Sequence, residues 1–167
     1  MIRFSRTLPG TVAAVVLGAA MLLPCSASYA DGGAFADYAG HWSGNGTITI
    51  ASNNGTSNER IRCRGQYTTS SGNNVVNINL RCASDSYRFD LASEVRSSGG
   101  QLSGSWTETS RGVNGSVEGR VSGGQVTALV QTNGYAATFN ISTRGNKQSI
   151  AIASKGELRA VNISLTK

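Results

Sequence analysis

Histidine occurs once, at His41, and cysteine three times, at Cys25, Cys63 and Cys82. One imidazole cannot build a His-based metal centre, and no serine or cysteine has an evident base to activate it as a nucleophile. The acidic residues are scattered and lack the carboxylate pair that glycoside hydrolysis needs. With no cofactor fingerprint either, the sequence reads as non-enzymatic: no catalytic residue, no cofactor and no metal. Aromatic residues make up only 7% of the chain, so the stacking platform of a single-strand nucleic-acid binder is missing. The formal net charge of +6 falls to +4 when Arg3 and Arg6 are set aside, short of the concentrated basic charge of a dedicated nucleic-acid binder. Nucleic acid is therefore not expected as a partner. The apolar run over residues 12–23 is about twelve residues long, below the roughly 20 that a membrane-spanning helix needs, so no membrane span is expected.

Residues 1–30 read as a bacterial-type secretory signal. Arg3 and Arg6 supply its basic start, residues 12–23 its apolar stretch, and Ser28-Tyr29-Ala30 a small-residue cleavage site before Asp31. This predicts a periplasmic or secreted protein whose residues 31–167 form one domain. A lipidated Cys25 is the rival reading, and Pro24 is a poor residue to precede it. Export into an oxidising compartment favours a disulfide between Cys63 and Cys82.

After Thr47, nine glycine- or asparagine-bearing turn signals punctuate the chain. Each keeps the apolar residues of its flanking strands on one face. Asn133-Gly134 favours a type I′ hairpin, which sets Val130 opposite Ala137, Ala128 opposite Phe139 and Val126 opposite Ile141. The turn at Gly72-Asn73 sets Cys63 opposite Cys82 in the same way. A one-residue slip in any turn would exchange the oily and wet faces. The spacing predicts strands over 41–51, 58–69, 74–82, 85–97, 101–110, 113–121, 125–132, 135–143, 147–154 and 158–166, preceded by a short helical turn over 34–39. Trp42, Ile48, Cys63, Leu80, Phe89, Val117, Ile152 and Val161 share one side; Ser, Thr, Asn, Gln, Arg and Glu share the other. The expected fold is all-β, an antiparallel up-and-down meander of about ten strands closed into a barrel, since no helix is available to cover the oily face. An outer-membrane barrel has the same alternation with inside and outside exchanged, but long outer loops and aromatic girdles are missing here.

Gly40-His41-Trp42, opening the first strand, resembles the Gly-x-Trp start of calycin-type barrels: the lipocalins, avidins and fatty-acid-binding proteins, and the small periplasmic barrel inhibitors of bacterial metalloproteases. The resemblance implies a closed barrel that binds small apolar molecules inside. It also implies an arginine from the last strand packed over the Trp42 ring, for which Arg159 is the matching candidate.

Small residues at inward positions, among them Gly46, Ser93, Gly104, Gly119, Ala128, Ala137 and Ser154, either leave room for a ligand or relieve crowding where strands bend. Trp42, Tyr67, Tyr87, Phe89, Trp106, Tyr135 and Phe139 are the candidate pocket residues. Inward aromatics are core first and ligand contacts second. On the wet face Arg60, Arg62, Arg64, Arg81 and Arg88 form a stripe, with Glu59, Asp85 and Asp90 near enough to offset part of it. The stripe is either a solvated face or an anion patch for an acidic envelope component or a partner protein such as a secreted protease. The functional expectation is an exported barrel that binds a small apolar or amphipathic ligand in its interior; the alternative is a surface interaction module using the arginines.

Overall fold

A computed structural model describes residues 32–167; the secretory signal expected over residues 1–30 lies outside the described residues. Ten strands follow one another: β1 (Gly40–Ser52), β2 (Gly55–Ser70), β3 (Val75–Ala83), β4 (Arg88–Ser98), β5 (Gln101–Glu108), β6 (Val113–Ser122), β7 (Gln125–Thr132), β8 (Tyr135–Arg144), β9 (Lys147–Ser154) and β10 (Leu158–Thr166). Each pairs antiparallel with its successor, and β10 returns to β1, closing the barrel without a free edge. No helix is present among the described residues.

Turn chemistry sets the register. Gly134 adopts a φ of +83°, and the hairpin it makes pairs Val130 with Ala137, Ala128 with Phe139 and Val126 with Ile141. Cys63 faces Cys82 across β2 and β3, and the two form a disulfide. Because side chains alternate along a strand, this phase sends Trp42, Ile48, Ile61, Val117, Ile150 and Val161 inward, all buried. Ser, Thr, Asn and Arg face outward. Apolar inside and polar outside is the reverse of a lipid-facing barrel. No helix among the described residues is long and apolar enough to cross a membrane.

The phase slips once. Between Thr49 and Ile50 the β1–β10 register shifts, Thr49 pairing with Ala160 but Ile50 with Leu158. Arg159 is the extra residue of this bulge, so it is exposed and donates to Lys155 O (2.9 Å) instead of pointing inward. It also sits beside Ile50, at the end of β1 away from Trp42, so it does not stack on that ring. Lys167, at the opposite end of β10, takes that place, 4.9 Å from the ring centre.

Gly104 and Gly119 serve the backbone rather than the interior space. A Cβ at either would stand 2.2 Å from a carbonyl oxygen of the neighbouring strand, Glu94 O or Thr127 O, so these sites permit the close approach that a tightly coiled wall needs.

Residues 33–39 cross one end of the barrel. Two turns, closed by Ala36 N–H to Gly33 O and Tyr38 N–H to Phe35 O, fold the segment so that Phe35 and Tyr38 point into the core. Phe35 N–H bonds Asn73 O in the β2–β3 turn, and Asp37 accepts from Gly145 N–H in the β8–β9 turn, so the segment is pinned on both sides of the opening.

Candidate functional site

The barrel encloses a cavity of about 420 Å³, within the range of roughly 300 to 1,000 Å³ typical of ligand pockets. Its floor is the crossing segment: Phe35 and Tyr38, backed by Tyr67 and Gln148. Leu91, Phe139, Ile141 and Ile152 form its walls; they pack against the core and stay only half-buried where they border this space. Its mouth lies at the other end of the barrel, among Tyr87, Phe89, Glu108, Arg111, Tyr135 and Glu157. Arg111 and Glu157 are exposed there, which places the opening at the solvent boundary.

Of the seven aromatic candidates, Tyr67, Tyr87, Phe89, Trp106, Tyr135 and Phe139 line this cavity. Trp42 does not. It is 1% exposed, its indole N–H donates to Tyr38 O (2.7 Å), and Tyr67 packs against it at 6.0 Å between ring centres. Trp42 holds the floor in place from beneath. Of the small inward residues, Ser93 and Ala128 line the cavity, whereas Gly46, Gly104, Gly119, Ala137 and Ser154 do not.

The polar groups divide between the two ends. At the floor, Tyr67 donates to Gln148 Oε1 (3.1 Å) and Gln148 Nε2 donates to Thr143 Oγ1 (2.9 Å), a buried uncharged chain. Burial, with a smaller contribution from Tyr38, pushes the Tyr67 hydroxyl well above the usual tyrosine range. Burial raises Tyr38 as well; Thr143 offsets part of this, although its hydroxyl does not meet hydrogen-bond geometry with Tyr38. Among the described residues the Tyr38 hydroxyl has no hydrogen-bond partner.

At the mouth, the Arg111 guanidinium sits 4.8 Å above the Tyr87 ring and donates to Arg88 O (3.2 Å). Glu108 accepts from the Asp90 amide (2.8 Å), the Ser110 hydroxyl (2.6 Å) and the Arg111 amide (2.7 Å). Burial opposes its ionisation, but these hydrogen bonds outweigh it and hold the carboxyl below the usual glutamate range. The result is a charged, hydrogen-bonded rim around an apolar interior.

Glu108, Gln148 and Thr143 were not among the candidates, although strand parity marks them: two residues after Trp106, two before Ile150 and two after Ile141. Arg111 lies in the β5–β6 turn, where no periodicity applies. His41 is exposed, and among the described residues no group of three or more His, Cys, Asp or Glu is placed to hold a metal ion.

The arginine stripe lies on the outer wall, as its parity requires. Arg64 faces Arg81 across β2 and β3. Asp90 offsets part of the charge by pairing with Arg81 (2.8 Å) and Arg88 (3.0 Å). Glu59, expected to do the same, instead accepts hydrogen bonds from Ser84 and Ser86, because the β3–β4 turn brings both hydroxyls to its carboxylate.

Compared with known proteins, the chain matches no family model and no curated protein. Its closed ten-stranded antiparallel barrel is compatible with a calycin-like architecture.

Proposed function

We propose that the protein is an exported calycin-like carrier that holds a small apolar or amphipathic molecule inside its barrel and does no chemistry on it. The observation that carries this reading is the cavity of about 420 Å³, walled by aliphatic and aromatic side chains that stay half-buried around it. A filled core would pack such side chains against one another, since protein interiors are close-packed with few voids larger than a water molecule. The polar rim of Tyr87, Glu108, Arg111 and Tyr135 suits a ligand with one polar end, held there while its apolar body occupies the barrel. The signal-like residues 1–30 and the disulfide support a periplasmic or secreted location.

Native mass spectrometry of the purified protein after incubation with a bacterial membrane extract tests the proposal. The expected result is a population carrying one additional small molecule per chain. A chain that emerges at its bare mass, with no lipid recovered in organic extraction, would overturn it.

A further inference from the structure

The outer wall carries a second arrangement that the cavity does not use. Arg60, Arg62 and Arg64 occupy alternate positions of β2 and are exposed, so their side chains leave one face about 6.8 Å apart along the strand. Asp90 is engaged by Arg81 and Arg88, and Glu59 by two serines. Among the described residues no carboxylate lies within salt-bridge distance of Arg60, Arg62 or Arg64. Each guanidinium keeps its fork of N–H donors for water or a ligand.

Across β1 the wall changes character, and the register joins the two parts in rows. Ser149, Ser164, Asn45 and Arg62 stand opposite one another on β9, β10, β1 and β2. The next row runs Thr166, Ser43, Arg64 and Arg81. On the other side, Asn162, Thr47 and Arg60 repeat the pattern. Each row thus carries small hydroxyls or amides on β10 and β1 and an arginine on β2, while β9 contributes Ser149, Lys147 and Ala151 in turn. Two shallow depressions flank β1 and meet at Asn45, one of about 450 Å³ beside Arg62, Arg64 and Arg81, the other of about 390 Å³ beside Thr47, Ser149 and Asn162. From β9 to β3 the face is about 19 Å wide at the usual strand spacing.

We infer that this face binds a linear acidic polysaccharide, whose hydroxyls bond to the Ser/Thr/Asn seam and whose carboxylates pair with Arg60, Arg62 and Arg64. The repeat of neutral polar groups and a cation suits a polymer that repeats hydroxyls and an anion. Single-stranded nucleic acid is disfavoured because no Phe, Tyr or Trp faces outward on these strands to stack on bases. A protein partner is disfavoured because the exposed large hydrophobic residues, Val113 and Leu129, lie on β6 and β7, leaving this face without an apolar anchor.

Surface plasmon resonance on immobilised polygalacturonate, neutral dextran and oligothymidylate tests the inference. The wild type is expected to bind the polyuronate most tightly, and more weakly as salt rises from 50 to 200 mM. Replacing Arg60, Arg62 and Arg64 by Gln should weaken that binding about tenfold and flatten its salt dependence. Replacing Arg96, Arg120 and Arg144, which removes the same charge elsewhere, should change it by less than about twofold. Asn45→Leu alters no charge and should weaken it about threefold through lost hydrogen bonding. Absence of polyuronate binding at low salt, equal loss in the two triple variants, unchanged affinity in Asn45→Leu, or oligothymidylate bound as tightly as polyuronate would each overturn it.

Discussion

Lys167 holds its ammonium 4.9 Å from the centre of the Trp42 ring while donating to Asp37 O (2.7 Å) and Ala39 O (2.9 Å). One side chain therefore covers the aromatic that supports the cavity floor and ties down the segment that forms it. Lys167→Met keeps the aliphatic stem but removes the charge and both hydrogen bonds. The expected cost is about 1 kcal/mol in urea unfolding, with faster amide exchange at Tyr38. Unchanged exchange at Tyr38 would show that Lys167 does not anchor the floor.

The two floor tyrosines should respond in opposite directions to loss of their hydroxyls. Tyr38 Oη is buried without a hydrogen-bond partner among the described residues, so Tyr38→Phe removes an unsatisfied polar group and should stabilise the protein by about 1 kcal/mol. Tyr67→Phe breaks the bond to Gln148 and should destabilise it by a similar amount, about 1 kcal/mol. Equal effects of the two variants on the urea midpoint would contradict the assigned hydrogen bonding.

Alkaline pH should find the same residues. Burial raises both phenols above the value of about 10 that they regain on unfolding. Above about pH 10 the unfolded chain binds fewer protons than the folded one, so stability is fully present below that pH and falls as pH rises beyond it. The loss approaches about 1.4 kcal/mol per pH unit for each such tyrosine. Urea midpoints from pH 8 to 11 check this: Tyr67→Phe should fall less steeply than the wild type, and identical slopes would count against the raised Tyr67.

The sequence made the closed meander legible because a strand has a side-chain period of two, and a two-residue turn fixes which residues face each other. The positions of Cys63 opposite Cys82, and of Phe89, Trp106 and Phe139 along one face, follow from those two facts alone. The bulge at Thr49 and Ile50 was hidden, since the extra residue, Arg159, carries no turn chemistry to mark it. Its single-residue slip turned Arg159 outward, and the antiparallel β1–β10 register, which sets Ser43 beside Thr166, gives the Trp42 contact to Lys167. The cavity floor was also hidden: the segment carrying Phe35 and Tyr38 is fixed by Asn73 and Gly145 in distant turns, long-range contacts that no local pattern encodes. The inward glycines were ambiguous for a related reason. Whether a missing side chain leaves space or admits a neighbouring carbonyl depends on how tightly the wall coils, and at Gly104 and Gly119 the carbonyl occupies the room.

Leu91 lines the cavity and is half-buried, so a larger side chain there should extend into that space. Titrating the wild type and Leu91→Trp with a fluorescent apolar probe, 1-aminoanthracene, is the most direct measurement of the central claim. The wild type should bind one probe per chain, and Leu91→Trp should lose that binding while its thermal midpoint stays within a few degrees of the wild type. A wild type that leaves the probe free, or a Leu91→Trp variant that binds it undiminished, would contradict an interior built to hold a ligand.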